Sequence, residues 1–176
     1  MKAVAGHGCY TNSGNQAHVT RRLNDQGVTI AVDKTTAKKL GDMHVTHTAQ
    51  QSCPTECPFY PDTVDDVMGG DRIEMAMDLA MQEAELIDGF SGKRHARIHV
   101  VGDCQTVESA LEVGDAMVRF EHRTGRMAYT YTHAWRKVPY SAWNGARVIA
   151  SCETTKDIRY AKDVMGYPSA EWTYMK

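Results

Sequence analysis

Over residues 62–176, helix patterns with clear start and stop residues alternate with short β-prone segments, and this alternation restricts the fold more than any other feature. The most regular pattern begins at Asp71, where Glu74 three residues later completes a capping box, and it ends at Gly89. Apolar residues recur at helical spacing between these points. Two further helices are predicted over residues 106–125 and 154–165.

The segments between the predicted helices are short and mostly apolar or β-prone, as buried parallel strands are. Strands that alternate with helices indicate right-handed βαβ units and a mainly parallel sheet. The strand candidates are residues 97–101, 127–132 and 147–150, with an upstream hairpin of 28–33 and 43–47 and a late edge strand at 172–175.

A chain of 176 residues fits a single domain. We therefore predict one α/β domain over residues 1–176, with a strand and loop region at 1–61 and βα units at 62–176. A complete eight-stranded barrel typically needs about 250 residues. The expected architecture is therefore an open or incomplete barrel with a mainly parallel sheet.

Reactive side chains follow three of the predicted strands. Asp103, His133 and Glu153 each come just after a strand, with Cys104 and Cys152 beside the two carboxylates. Ligands of parallel α/β folds bind at the carboxyl ends of the strands, so these side chains are expected to share one edge of the sheet. There the acids and the imidazole are predicted to act catalytically, by positioning substrate or transferring protons. Helix capping is the alternative for Asp103.

A second group of reactive residues is the cysteine loop Cys53-Pro-Thr-Glu-Cys57. Thiolates are soft ligands suited to zinc and to iron–sulfur clusters, although a purely structural loop also explains such a pair. Cys9 lies in a similar loop-like context and is the predicted third metal ligand. The chain has five cysteines and no apolar stretch typical of a secretion signal near Met1, which favours metal-bound or reactive thiols over disulfides.

Several of these segments resemble a family of phage-encoded proteins of uncharacterised function. The family motif reads Cys-Pro-x-x-Cys-Pro, a short spacer, then Gly-Cys-Tyr-Ala-x-x-Gly; Cys53-Pro-Thr-Glu-Cys57-Pro-Phe and Gly8-Cys9-Tyr-Thr-Asn-Ser-Gly14 resemble its two halves. Here the halves stand in the reverse order, as in a circular permutation, and the family's cysteine-rich tail is missing after Ala170. Three later segments are similar to the family's strand-end motifs, in the same order: Arg97-Ile-His-Val-Val-Gly-Asp103, Ala128-Tyr-Thr-Tyr-Thr-His133 and Ile149-Ala-Ser-Cys-Glu153.

The family is in turn similar to radical S-adenosylmethionine enzymes, in which three cysteines on a loop before a helix of a partial barrel bind an iron–sulfur cluster. Cys53, Cys57 and Phe59 match the Cys-x-x-x-Cys-x-aromatic-Cys run of those enzymes, and Tyr60 stands at the third cysteine position. The resemblance therefore implies that Cys9 completes the ligand set, with S-adenosylmethionine as the cofactor. The residues expected to contact the cofactor are Tyr10, Thr132 and Ser151.

Four functions fit these observations. The first is an iron–sulfur enzyme with S-adenosylmethionine. The second is a structural zinc site on the same cysteines, with His7 or His47 as a fourth ligand. The third is a non-catalytic phage protein that binds a host factor or sequesters a ligand, and the fourth is a thiol enzyme that pairs Cys104 or Cys152 with His133. The third would use an aromatic surface formed by Tyr131, Trp135, Tyr140 and Trp143.

The net charge and the lengths of the apolar stretches restrict the classes of partner that we expect the protein to bind. The net charge of −2 gives no general attraction to nucleic acid, and the longest apolar stretches are far shorter than the roughly 20 residues that cross a bilayer. We therefore expect a cytoplasmic protein with no membrane contact, in the host cell if it is phage-encoded, whose partner is a small molecule or a host protein. Its oligomeric state stays open.

Overall fold

The structure, a computed structural model, describes residues 27–32, 41–57 and 72–172. Six strands form one sheet, and three helices are interspersed among them. The strands are β1 (Thr29–Val32), β2 (His44–Thr48), β3 (Ala96–Arg97), β4 (Ala128–Thr132), β5 (Arg147–Cys152) and β6 (Ser169–Trp172). The helices are α1 (Arg72–Asp88), α2 (Val107–Thr124) and α3 (Thr155–Asp163).

The order of the strands in the sheet is their order in the chain. β1 pairs antiparallel with β2, which confirms the predicted hairpin, and every later neighbour pairs in parallel. The predicted α/β class with a mainly parallel, open sheet is therefore confirmed. The prediction of a single domain includes residues outside the described ranges and stays a prediction.

Helix caps are present at the residues where the sequence predicts them. The Thr106 hydroxyl accepts the Ser109 N–H at 3.1 Å, and the Ser109 hydroxyl accepts the Thr106 N–H at 3.2 Å, so both free N–H groups at the start of α2 are satisfied. Gly125 ends that helix in the left-handed conformation. Thr154 caps α3, which ends at Asp163, two residues before the predicted end.

The apolar core lies between the helices and one face of the sheet. α1 and α2 pack against each other on this face, and Ala161 of α3 joins the same cluster. α2 approaches the backbone of Trp143 so closely at Gly114 that an added Cβ would lie 2.5 Å from the Trp143 carbonyl oxygen. A glycine is therefore required there to seat the helix on the core.

The predicted strand at 97–101 is wrong in its length, since β3 has regular strand geometry only over Ala96–Arg97. The cause is His99, whose φ of 30° turns its side chain out of the alternating pattern. The sheet hydrogen bonds nevertheless continue: the Ile98 N–H donates to the Tyr129 carbonyl and the Val100 N–H to the Thr46 carbonyl, both at 2.9 Å. The result is a local bulge rather than the end of the strand.

The face of the sheet opposite the helices, called the second face below, carries the alternate side chains of each strand. Ala96, Ile98 and Ala128 belong to the core beneath the helices. Arg97 and Tyr131 must then point the other way, and the Arg97 guanidinium carbon lies 5.2 Å from the centre of the Tyr131 ring. Among the described residues, the second face includes Val45, His47, Arg97, Tyr129, Tyr131 and Ile149.

At the far edge, β6 begins three residues earlier than the predicted strand at 172–175 and pairs with β5; residues 173–175 lie outside the described ranges. β5 is two residues longer than predicted, so Ser151 and Cys152 belong to the strand and Glu153 follows it. None of the helices in the described ranges has the length and apolar character needed to cross a bilayer.

Candidate functional site

The cysteine loop follows β2, the first of the parallel strands, and precedes α1. A short 3₁₀ turn (Gln50–Ser52) opens it, and the Cys53 N–H then donates to the Gln50 carbonyl at 2.9 Å. A second turn closes with the Cys57 N–H on the Pro54 carbonyl at 3.0 Å. Both cysteines are buried thiols, with 3% and 5% of their surfaces exposed. The loop therefore holds two thiols at the carboxyl end of the sheet.

This loop is fastened to the end of β3. The Ser52 hydroxyl accepts the Asp103 N–H at 3.0 Å and donates to the Ala49 carbonyl at 2.7 Å. Gly102, with a φ of 92°, passes so close that an added Cβ would lie 2.7 Å from the Cβ of Thr48. Glycine is thus required where the two segments cross.

Asp103 joins the ends of β3 and β4. One carboxylate oxygen accepts the Cys104 N–H at 2.7 Å and the Thr132 hydroxyl at 2.8 Å; the other accepts the His133 N–H at 2.6 Å and the Ala134 N–H at 3.2 Å. Burial raises the pKa of the Asp103 carboxyl, while these hydrogen bonds and the imidazoles of His99 and His133 act in the opposite direction. Its catalytic role stays a prediction, and its contacts are those of a carboxylate that fixes the edge.

His133 is the side chain that connects this edge to the cysteine loop. Its imidazole shares a hydrogen bond with Cys57, and the carboxylates of Asp103 and Glu153 lie close enough to act on its charge. Burial by itself lowers the pKa of His133, but Cys57 and the two acids outweigh it and raise that pKa. The structure thus brings together Asp103, His133 and Glu153, as the strand pattern predicts.

The Glu153 side chain is held in place by an arginine on its solvent-facing side. Arg136 donates to Glu153 Oε2 at 3.1 Å and to Asp157 Oδ1 at 3.0 Å, and its guanidinium carbon lies 4.0 Å from the centre of the Trp135 ring. The other oxygen, Oε1, is buried and has no hydrogen-bond partner among the described residues. An unsatisfied carboxylate oxygen close to His133 is suited to hold a proton or a ligand N–H.

The predicted cofactor contacts have structural partners. The Thr132 hydroxyl donates to Asp103, and the Ser151 carbonyl accepts the Trp135 indole N–H at 2.6 Å. Tyr10 and Cys9 lie outside the described residues.

The donor chemistry of the loop is that of a metal site, but the loop is not a complete one. Residues 27–32, 41–57 and 72–172 contain no group of three or more His, Cys, Asp or Glu side chains placed to hold a metal ion. Two buried thiols on one loop suit an iron–sulfur cluster or zinc. A third thiolate ligand would have to come from outside these ranges, where Cys9 is the predicted one.

The predicted pairing of Cys104 or Cys152 with His133 is not supported. Burial, together with the charges of Glu83 and Asp103, raises the pKa of Cys104 well above its ordinary value. Burial also raises the pKa of Cys152 to about 12. Neither thiol is therefore activated by its surroundings, and the thiol that meets His133 is Cys57.

The predicted aromatic docking surface is wrong for both tryptophans. Trp135 and Trp143 are 1% and 0% exposed. The indole of Trp143 donates to the Tyr167 hydroxyl, which donates to the Val138 carbonyl. These rings form core, with their polar atoms satisfied, and do not present a surface to a partner.

A second ionisable cluster, between α1 and the sheet, has no counterpart among the sequence predictions. Glu83 accepts the His99 imidazole N–H at 3.0 Å and the Thr46 hydroxyl at 2.5 Å, and both members of the pair are at most 1% exposed in their side chains. Glu83 lies four residues before Ile87 and three after Ala80, on the apolar stripe of α1. An acid on such a stripe indicates a buried partner, and that pattern could have revealed the pair.

Comparison of the chain with protein-family models, with curated proteins and with solved structures found no match.

Proposed function

We propose that this protein is a metal enzyme whose iron–sulfur cluster is ligated by Cys9, Cys53 and Cys57 at the carboxyl ends of the parallel strands. One observation carries the proposal: Cys53 and Cys57 lie on the loop that follows β2, at the carboxyl end of the parallel strands, and precedes α1. This is where the resemblance to radical S-adenosylmethionine enzymes puts the cluster. The substrate would be a small molecule in the cytoplasm of a phage-infected cell.

The surrounding residues have defined roles in this proposal. A bound cluster of this type supplies single electrons to S-adenosylmethionine. Cys53 and Cys57 would be ligands, and the His133 hydrogen bond to Cys57 would adjust the electron density on that sulfur. Glu153, with one unsatisfied oxygen, would hold or accept a substrate proton next to His133.

The test is metal and sulfide analysis of protein purified without oxygen and reconstituted with iron and sulfide. We expect stoichiometric iron and sulfide, with cluster absorption and a characteristic electron paramagnetic resonance signal after reduction. Cys9→Ala, Cys53→Ala and Cys57→Ala should each lose the cluster. Cys152→Ala is the matched control, because it removes an equally buried thiol from β5 and should keep the iron. A wild-type protein that stays free of iron would overturn the proposal.

Zinc is the alternative occupant of the same thiols. One equivalent of zinc without iron or sulfide, lost in Cys57→Ala and retained in Cys152→Ala, would identify a structural zinc site instead.

The contact between Cys57 and His133 favours a second candidate, a thiol enzyme. Cys57 would pass its proton to the His133 imidazole and attack an electrophilic substrate as the thiolate. In metal-free protein, Cys57 should then be alkylated faster than Cys104 and Cys152, and His133→Gln should slow it about tenfold. Equal rates for all three thiols would exclude this candidate.

A non-catalytic role in binding a host protein is the remaining alternative. Burial of Trp135 and Trp143 removes the aromatic surface on which it was based, so it has the weakest support.

A further inference from the structure

Arg97 is a charged side chain on the second face for which the described residues provide no acidic partner. Its Nε is buried and has no hydrogen-bond partner among the described residues, and it takes part in none of their ion pairs. The residue is partly exposed, but its Nε–H is out of contact with solvent, and burying an N–H group without a hydrogen bond costs free energy. Its aromatic contact with Tyr131 offsets part of that cost but satisfies none of its N–H groups.

The side chain of Arg97 leans toward the carboxyl ends of the strands. In the register of the sheet, Arg97 lies opposite Tyr129. Its guanidinium nevertheless lies over the ring of Tyr131, two residues further along β4. The charge is therefore displaced toward the edge that carries His133 and the cysteine loop.

The bulge in β3 explains how the Arg97 guanidinium can extend along the second face. In a regular strand the side chain of residue 99 would follow that of residue 97 on the second face. The φ of 30° turns His99 to the opposite face instead, where it meets Glu83. The position between His47 on β2 and Tyr131 on β4 is thus left without a β3 side chain, and the Arg97 guanidinium extends toward it.

Among the described residues, the neighbours of Arg97 on the second face are His47 and two tyrosines, and the charged Glu83–His99 pair lies on the opposite face. Burial lowers the pKa of His47 to about 4, with the positive charge of Arg97 acting in the same direction against the attraction of Glu83. His47 is therefore neutral at physiological pH and adds a hydrogen-bonding group rather than a second charge. Tyr131 and Tyr129 add aromatic surface on the other side, with their ring centres 6.2 Å apart.

We propose that Arg97 binds the oxyanion of a small-molecule ligand, a carboxylate or a phosphate, on the second face of the sheet. The guanidinium fork matches both groups in a bidentate geometry. The bulge at His99 removes a β3 side chain from the position toward which Arg97 extends, and the direction of Arg97 places the ligand below the His133 edge. The proposed anion site does not depend on a metal bound to the cysteine loop.

The direct test follows the Arg97 Nε–H signal by NMR while inorganic phosphate or acetate is added at constant ionic strength. We expect a saturable shift of this signal with at least one of the two anions, and the stronger of the two distinguishes a phosphate site from a carboxylate site. Chloride at the same ionic strength should leave the signal in place. The metal content of the same sample is recorded, so that loss of the cluster and loss of anion binding are told apart.

Variants identify the group responsible. Arg97→Gln should weaken the binding of the preferred anion at least about tenfold by calorimetry, and Arg97→Lys should weaken it less, because it keeps the charge but loses the fork. Arg147→Gln is the matched control: Arg147 is exposed, stands in register with Tyr129 and already pairs with Glu121. Circular dichroism checks that each variant is folded.

Two results would overturn the proposal. One is an Arg97 signal that moves only with ionic strength, in step with the other arginines. The other is equal binding in folded Arg97→Gln and wild type.

Discussion

Two histidines of this protein each meet an ionisable side chain from another segment, but their surroundings differ. His99 lies beneath α1, where its Nδ1 pairs with Glu83, to which Thr46 also donates, and the two charged side chains are out of reach of solvent; its Nε2 is buried without a hydrogen-bond partner among the described residues. His133 lies at the carboxyl edge of the sheet, where it contacts Cys57 and faces Glu153, whose Oε1 is unsatisfied among the described residues. The first cluster is therefore closed to solvent, whereas the second is partly exposed at the edge, where a ligand can reach it.

The difference shows which ionisable pair fixes the fold and which one is available for chemistry. A buried ion pair that is shielded from solvent resists change, because removing one partner leaves the other charge uncompensated. A pair at a strand edge can change protonation or ligation at a smaller cost in stability. We therefore expect substitutions in the first cluster to unfold the protein and substitutions in the second to change its chemistry.

The largest effect should come from the closed cluster. Glu83→Gln leaves the His99 imidazole without its counter-charge, and we expect it to lower the free energy of unfolding by about 3 kcal/mol or more. Cys57→Ala, measured in metal-free protein, should cost only about 1 kcal/mol, the effect of removing one small buried group. Urea unfolding of both variants measures the two losses in free energy of unfolding. Equal losses would refute the expected difference between the clusters.

Gly102→Ala should have the next largest effect, since this residue lies between His99 of the closed cluster and Asp103 at the edge. The new methyl group would meet Thr48 in a backbone conformation that disfavours side chains, at a cost of about 2 kcal/mol. The clash would also push the cysteine loop away from Asp103. Lower stability combined with faster alkylation of Cys57 is the expected result; unchanged alkylation would mean that the loop is positioned by other contacts.

The pH dependence of stability should report the closed cluster. Burial opposes ionisation of both partners, but their contact prevails: it raises the pKa of His99 and lowers the pKa of Glu83. The His99 contribution is complete below its ordinary pKa of 6.5 and is lost as the pH rises through its raised value. The Glu83 contribution is complete above its ordinary pKa of 4.5 and is lost as the pH falls through its lowered value.

The pair thus stabilises the fold most between pH 4.5 and 6.5. Unfolding midpoints measured across that window should form a plateau with losses on both sides. The double variant Glu83→Gln/His99→Gln is the control, in which this part of the pH dependence should disappear. An unaltered profile in the double variant would assign the effect to other groups.

The smallest effect should come from Arg136→Gln at the edge. Arg136 is partly exposed, so loss of its contacts with Glu153 and Asp157 should cost less than about 1 kcal/mol. Thermal unfolding at low and high salt checks this small loss of stability. We expect the difference in unfolding midpoint between variant and wild type to become smaller at high salt. A loss as large as that in Glu83→Gln would mean that the edge is as closed as the core.

The local rules of the sequence predicted much of this fold. The caps at Thr106, Gly125 and Thr154, the hairpin and the parallel strands all depend on neighbouring residues, and all form. The break in β3 depends on His99 meeting Glu83 from another element, so no pattern within 97–101 could reveal it.

The candidate site, like the fold, has features that the local sequence predicts and features that depend on tertiary contacts. Parallel topology was enough to predict that Asp103, His133 and Glu153 share an edge, since each follows a strand. The contact of His133 with Cys57 depends on how the loop after β2 folds over β3 at Gly102, which is a tertiary property. For the same reason the sequence selected Cys104 and Cys152 as reactive thiols, while the packing of the core buries both.

X-ray absorption at the iron edge of the anaerobically reconstituted protein tests the proposed metal centre most directly. We expect a shell of sulfur scatterers at about 2.3 Å, the distance typical of metal–thiolate bonds, together with iron neighbours, and the loss of both in Cys57→Ala but not in Cys152→Ala. A first shell of oxygen and nitrogen alone, unchanged in Cys57→Ala, would contradict a cluster held by the loop after β2.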